Sequence, residues 1–190
     1  MTDGLVTPRL RLRQWRRDDY APFAALNSDP EVMEHFLTVL SGVESDALAD
    51  RCARGIAERG WGWWAVERTD SGQFIGFVGL SPVGDEFPFG PAVEIGWRLA
   101  RSQWGHGYAT EAARAALSYG FETLGLDEIV AFTSVANLRS ERVMVRLGMT
   151  RDPAEDFDHP RLPRGHRVSR HVLYRLCNGG RFSPSAGAWG

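Results

Sequence analysis

The sequence predicts a single α/β domain with a mixed central β-sheet flanked by helices, and three observations support this class. Short runs typical of strands take turns with longer stretches whose apolar residues recur at helical spacing. Between residues 93 and 133 a strand, a glycine-bearing loop, a helix and a second strand follow one another, which predicts a right-handed crossover between parallel strands. With 190 residues and 43 % apolar content, the chain can bury one sizeable core.

The first half of the chain is expected to form one strand, three helices and a hairpin. Alternation predicts a strand over Leu10–Arg13, and helical spacing predicts helices over 16–26, 31–36 and 44–59, with Gly60 ending the third. Strands over 63–68 and 74–80 flank the turn Asp70-Ser71-Gly72, which is a hairpin signal. Residues 85–91 are expected to form a loop.

The second half is expected to complete the sheet. Strands are predicted over 93–99, 129–133 and 170–176, and helices over 107–124 and 137–147, which Gly125 and Gly148 end. Residues 152–165 form a long polar loop in this prediction. The domain then spans residues 1–177, and the glycine, serine, proline and alanine of 178–190 predict a flexible C-terminal tail.

Composition excludes several classes of protein. A net charge of −2 predicts no nucleic-acid or anionic membrane partner, and no apolar run reaches the roughly 18 residues of a membrane span. The first residues lack the pattern of a signal peptide, so a cytoplasmic location is expected. All 22 basic residues are arginine, which excludes a Schiff-base lysine and a P-loop. The histidines match no metal-ligand spacing, so no metal site is predicted.

A glycine-bearing loop follows the strand over 93–99. Gly105 and Gly107 have no Cβ, so a ligand can approach the backbone closely, and the next helix directs its positive dipole end to the same place. This arrangement can bind a pyrophosphate. The alternative is a plain loop that only caps the helix and binds no ligand. A dinucleotide-binding fingerprint fails because Thr110 stands where a third glycine or alanine belongs, which disfavours a nicotinamide-dependent oxidoreductase.

Three segments resemble motifs of the GNAT N-acetyltransferases, most closely those of the RimJ/RimL-type ribosomal-protein group. Motif A is matched by Trp97-Arg98-Leu99-Ala100 and Trp104-Gly105-His106-Gly107-Tyr108-Ala109-Thr110-Glu111-Ala112. Motif B is matched by Asn137-Leu138-Arg139-Ser140 and Arg146-Leu147-Gly148-Met149. The run Thr7-Pro8-Arg9-Leu10-Arg11-Leu12-Arg13 is similar to the group's opening strand, so the likeness covers residues 7–176. Trp104 departs from the family pattern, which has Arg or Gln there.

The resemblance implies the GNAT fold, acetyl-CoA as co-substrate, and direct transfer of acetyl to a primary amine of a small molecule or a protein N-terminus. A homodimer is a further option, and a non-catalytic acyl-CoA sensor of the same fold is the rival function. The implied cofactor contacts are Trp97, Arg98, Leu99, Trp104, Gly105, His106, Gly107, Tyr108, Ala109, Thr110, Asn137 and Ser140.

Glu94 is the candidate base. In an alternating strand its side chain shares a face with those of Gly96 and Arg98, and its apolar neighbours can desolvate the carboxylate. The alternative is a solvated glutamate paired with an arginine. The resemblance implies that Ser140 protonates the leaving thiolate and that Asn137 forms a hydrogen bond with the pantetheine arm or the substrate. Helix capping is the alternative role for both residues.

Overall fold

A computed structural model describes residues 4–179, so residues 180–190 of the predicted tail lie outside the described part. Nine strands form one sheet in this part of the chain. They are β1 (Leu5–Val6), β2 (Leu10–Arg13), β3 (Trp63–Arg68), β4 (Phe74–Val83), β5 (Ala92–Leu99), β6 (Glu128–Ser134), β7 (Thr150–Arg151), β8 (Phe157–Asp158) and β9 (Arg170–Cys177). The sheet order is β1-β2-β3-β4-β5-β6-β9-β7, and β8 also pairs with β9.

Four α-helices flank the sheet, which confirms the predicted class. They are α1 (Tyr20–Ser28), α2 (Gly42–Arg59), α3 (Tyr108–Ser118) and α4 (Leu138–Arg146). Ser41 and Glu44 form a reciprocal capping box at the start of α2. The helix ends at Gly60 in the left-handed conformation, as its sequence predicts.

The sheet is mixed because β5 and β6 are parallel while the other neighbouring strands are antiparallel. Helix α3 connects these two strands, as the predicted crossover requires. Among the described residues, β5 and β6 share one partner pair, Glu94 with Val130. Beyond it, residues of both strands line a cavity, so the site lies where the two strands part.

Side chains on the two faces of the sheet pack against different helices. On one face, Phe23 of α1 packs against Trp15, Phe74 and Phe77, and Phe77 contacts Trp63. Pairing of β4 with β5 sets Arg98 opposite Phe77, which places Glu94, Gly96 and Arg98 on that same face. The other face is covered by α3 and the turn that follows it, where Trp64 packs edge-on against Tyr119.

The predicted helix over 31–36 is wrong, because the structure has successive turns there. The Asp29 carboxylate accepts a hydrogen bond from the Glu31 N–H, and the backbone bonds Met33 to Asp29 and Phe36 to Met33 do not continue as a helix. Local side-chain bonding of this kind competes with helix formation. The segment instead carries Phe36 over the sheet, where its ring stacks on Arg98.

Other boundaries differ in detail. The helix predicted over 16–26 begins with a 3₁₀ turn at Arg17–Asp19, and the one predicted over 107–124 ends as α3 at Ser118 and continues as a π-helical turn over Tyr119–Thr123. The predicted loop over 152–165 contains a 3₁₀ turn and β8. No helix in residues 4–179 combines the length and apolar character needed to cross a membrane.

Candidate active site

A cavity of about 1050 Å³ opens where β5 and β6 part. The sequence-predicted site residues line it with one exception, His106, whose ring stacks on Tyr108 outside the lining. The predicted residues brought together are Glu94, Trp97, Arg98, Leu99, Trp104, Gly105, Gly107, Tyr108, Ala109, Thr110, Asn137 and Ser140.

The glycine loop presents free backbone donors to this cavity. Gly105 and Gly107 have φ values of 81° and 78°, a left-handed conformation that side-chain-bearing residues adopt at a cost. The first backbone bond of α3 runs from the Glu111 N–H to the Gly107 carbonyl, so the N–H groups of Tyr108, Ala109 and Thr110 have no partner within the helix. Together with the helix dipole they can bind an anion.

Trp104 fixes the loop against the strand that precedes it. Its indole N–H donates to the Leu99 carbonyl at 2.9 Å, and the Arg139 guanidinium lies 4.7 Å from its ring centroid. The residue that departs from the family pattern therefore supports the loop through an indole rather than through a polar side chain.

Asn137 and Ser140 meet at the start of α4. The Asn137 side-chain oxygen accepts from the Ser140 N–H at 3.2 Å, and its amide nitrogen donates to the Thr133 hydroxyl at 2.9 Å. Helix capping by Asn137 is thus present. The Ser140 hydroxyl makes no hydrogen bond with any residue in 4–179 and lines the cavity, so it can donate a proton to a bound group.

Burial raises the pKa of Glu94 to about 7, and the charge of Arg161 opposes this rise. No salt bridge joins Glu94 to an arginine among residues 4–179, although the charge of Arg161 acts on the carboxylate. A carboxylate with a pKa near neutrality can take up a proton and release it at physiological pH.

Part of the cavity wall is formed by aromatic rings and histidines. Phe87 and Phe132 have ring centroids 5.4 Å apart, and the His159 and His171 rings lie 4.9 Å apart next to them. Desolvation lowers the pKa of His159 to about 4, with further lowering by the charges of His171 and Arg161. The pKa of His171 is also lowered, chiefly by desolvation, so burial favours the neutral form of both rings.

Sequence reasoning missed a row of arginines on α4. Arg139, Arg142 and Arg146 recur at helical spacing, line the cavity, and form no ion pair within residues 4–179. The spacing is visible in the sequence, but their common position at the cavity depends on how α4 packs. The described residues contain no group of three or more histidine, cysteine, aspartate or glutamate side chains that could hold a metal ion.

The parted parallel strands and the glycine loop that leads into a helix place a cavity beside free helix N–H groups, and comparison with known proteins gives the family. A family model described as "Acetyltransferase (GNAT) domain" matches residues 9–150. The chain belongs to the GNAT acetyltransferase family, whose members use acetyl-CoA.

Two relatives and two solved structures illustrate the range of similarity. YkkB, an uncharacterized protein of Bacillus subtilis, is 35 % identical over 146 residues that cover 76 % of this chain and 84 % of YkkB. The FsC-acetyl coenzyme A-N(2)-transacetylase of Aspergillus fumigatus is 34 % identical over 155 residues, 77 % of this chain and 64 % of the relative.

Both structures share the fold over nearly their whole length. A GNAT-family acetyltransferase of Bacillus anthracis has a TM-score of 0.77 at 24 % identity and covers 92 % of this chain and 98 % of its own. The spermidine N-acetyltransferase of Vibrio cholerae, solved with CoA and spermine, has a TM-score of 0.70 at 20 % identity. It covers 92 % of this chain and 98 % of its own.

Proposed function

We propose that this protein transfers acetyl from acetyl-CoA to a primary amine by direct attack, with Glu94 as the base. The observation that carries the proposal is the position of Glu94. A desolvated carboxylate with a pKa near 7 lines the same cavity as a glycine loop whose N–H groups are free to bind an anion. The same cavity thus contains an anion-binding site and a proton acceptor.

Each step has a group to perform it. Glu94, directly or through one water, takes a proton from the bound ammonium, and the freed amine attacks the thioester carbonyl. A backbone N–H near Trp97 donates to the oxyanion. When the tetrahedral intermediate collapses, the carbon–sulfur bond breaks and Ser140 protonates the departing thiolate. The products are an acetylated amine and CoA.

Cofactor binding is assigned to the glycine loop and its surroundings. The N–H groups from Gly105 to Thr110 hold the pyrophosphate, and the backbone of Trp97 to Leu99 runs along the pantetheine arm. The arginines of α4 supply positive charge for the phosphates at the cavity mouth. Asn137, already committed to capping α4, acts by holding Ser140 in place.

The substrate class is an amine. The Aspergillus fumigatus relative is named for N(2) acetyl transfer, and the Vibrio cholerae structure contains spermine. Motif similarity supports placing this chain with the RimJ/RimL-type group, which adds protein N-termini to the candidate acceptors. That the protein is cytoplasmic and that it forms a homodimer are predictions from the sequence.

The test is release of free CoA thiol from acetyl-CoA in the presence of an amine library, with acetylated products identified by mass spectrometry. The chain as printed has no lysine, so acetylation of its own lysines adds no background. We expect amine-dependent thiol release. Binding of acetyl-CoA without turnover for any amine would favour the sensor function, and absence of binding would exclude both.

A further inference from the structure

Arg98 is a cation without a counter-ion in the described structure. It lines the cavity on the same face of the sheet as Glu94, yet it forms no ion pair with any carboxylate in residues 4–179. The buried Nε atom has no hydrogen-bond partner there either. Buried charges in proteins are normally paired, so an unpaired guanidinium at a ligand cavity requires an explanation.

Neutral groups hold this guanidinium in place. Its Nη1 donates to the side-chain oxygen of Asn27 at 2.7 Å, and the Asn27 amide nitrogen donates to the Ser45 hydroxyl at 2.9 Å. Asn27 and Ser45 are both fully buried. The Phe36 ring covers the guanidinium, with the carbon of the cation 4.0 Å from the ring centroid. These contacts position the charge but do not neutralise it.

Desolvation lowers the pKa of Arg98 to about 10, which leaves it protonated at neutral pH. The thiol of Cys52 also acts on the pKa of Arg98, but burial raises the thiol's own pKa to about 12, so it is uncharged. The charge is therefore available to an anion that enters the cavity.

We infer that Arg98 binds a carboxylate of the amine acceptor, so that the substrate is an amino acid-like molecule with its amine at Glu94 and its carboxylate at Arg98. The inference rests on the proposed function and specifies its substrate class. A planar guanidinium with free donors matches a carboxylate well. The same charge repels polyamines, which disfavours a spermidine-like acceptor.

The strand sets the length of this acceptor. Glu94 and Arg98 are four residues apart on β5, which separates their Cα atoms by about 13 Å. An α-amino acid is too short to bridge the two groups. A chain-like ω-amino carboxylate, or a side-chain amine of an amino acid, spans the distance better.

The experiment compares ω-amino carboxylates of increasing length, from 4-aminobutanoate to 8-aminooctanoate, with n-alkylamines of equal length and with spermidine. Steady-state acetylation gives kcat and KM for each amine with the unaltered chain, Arg98→Met, Arg98→Lys and Arg101→Met. Arg101 is an exposed arginine paired with Glu31, three residues further along, and serves as the matched control.

We expect the carboxylate to lower KM by roughly 10- to 100-fold, the worth of a charge-assisted hydrogen bond, with little change in kcat. Arg98→Met removes this preference, Arg98→Lys keeps part of it, and Arg101→Met keeps all of it. Equal KM values for carboxylates and alkylamines with the unaltered chain would overturn the inference. So would a loss of CoA affinity in Arg98→Met with the preference intact, because the anion would then be a phosphate of the cofactor.

A binding measurement separates this inference from the proposed function. The Arg98 Nε–H resonance, assigned by its absence in Arg98→Met, is followed by NMR while 6-aminohexanoate or hexylamine is added to the protein saturated with CoA. A shift with the carboxylate alone supports the inference even if no amine is turned over. An identical response to both compounds contradicts it, whatever the turnover.

Discussion

Glu111 in the first turn of α3 holds Arg9 at the start of the sheet. Its Oε2 accepts from the Arg9 Nε at 2.6 Å, and its Oε1 accepts from the Arg9 backbone N–H at 3.0 Å and the Thr7 hydroxyl at 2.6 Å. The Arg9 guanidinium also lies 4.7 Å from the ring centroid of Tyr108. The beginning of α3, which follows the glycine loop, is thereby tied to the segment between β1 and β2, about 100 residues earlier.

Replacing Glu111 with glutamine should lower the free energy of unfolding by about 2 kcal/mol, because three donors lose a charged acceptor in a buried setting. Urea denaturation measures the change. CoA affinity should fall as well, since the loop loses its support. Glu122→Gln, on the exposed π-helical turn, is the control and should leave both quantities unaltered. Equal effects of the two substitutions would show that the Arg9 contact is not important for stability.

Gly107→Val should weaken CoA binding by about 5- to 30-fold, because the left-handed conformation costs about 1–2 kcal/mol for a residue with a Cβ. The nearest atom to an added Cβ is the Arg9 Nη2 at 3.7 Å, so backbone conformation rather than a clash causes the loss. Calorimetry measures the affinity. Gly125→Val is matched, since Gly125 has a φ of 67° with open space around it and lies away from the loop. If both variants bind CoA normally, the pyrophosphate lies elsewhere.

Glu94→Gln should reduce kcat by roughly 10²- to 10⁴-fold with CoA affinity nearly unchanged, because the amide cannot accept the proton. With the unaltered chain, kcat/KM should rise as the pH increases through about 7, where Glu94 becomes ionised. The variant should lack this rise, and its defect should diminish at high pH, where more amine is already deprotonated. A pH–rate profile that is the same for both proteins would reduce Glu94 to a structural residue.

The same substitution should stabilise the fold at alkaline pH. The folded-state pKa of Glu94, about 7, lies above the roughly 4.3 of an unfolded glutamate. Its contribution to stability is therefore fully present below about pH 4.3 and is lost as the pH rises through 7. The urea concentration at the unfolding midpoint should be higher for Glu94→Gln than for the unaltered chain at pH 8, and equal for the two proteins at pH 4. An equal increase in stability at pH 4 and pH 8 would show that the substitution acts through packing and not through the ionisation of Glu94.

Arg142→Gln and Arg146→Gln should each weaken CoA binding by about two- to fivefold at low salt, because exposed charges at the cavity mouth attract its phosphates. The difference should shrink above about 0.5 M salt, where such charges are screened. Arg54→Gln, on the exposed side of α2, is the control and should change nothing. A salt-independent loss would indicate that the variants disturb α4 instead.

Local patterns predicted the main elements and most of the residues that line the cavity, but they did not predict which residues far apart in sequence contact one another. Alternation placed Glu94, Gly96 and Arg98 on one face, and pairing with β4 confirms it. The partner of Arg98, however, is Asn27, 71 residues earlier, and no local pattern connects the two. The helix predicted over 31–36 fails for a local reason, the Asp29 side-chain bond, and for a long-range one, since the contact of Phe36 with Arg98 depends on tertiary packing. Strands β1, β7 and β8 have two residues each, too few for any periodicity.

Among residues 4–179, β5 and β6 share a single partner pair, Glu94 with Val130, and this weak pairing has a consequence for cooperativity. Past that pair, β5 and β6 are the facing edge strands of two half-sheets, and edge strands invite an extended chain with amide groups. The pantetheine arm of CoA contains two amides and can fill this position like a temporary strand. We expect the cofactor to join the halves into one cooperative unit, so that amide hydrogen exchange slows in β5 and β6 together when CoA binds.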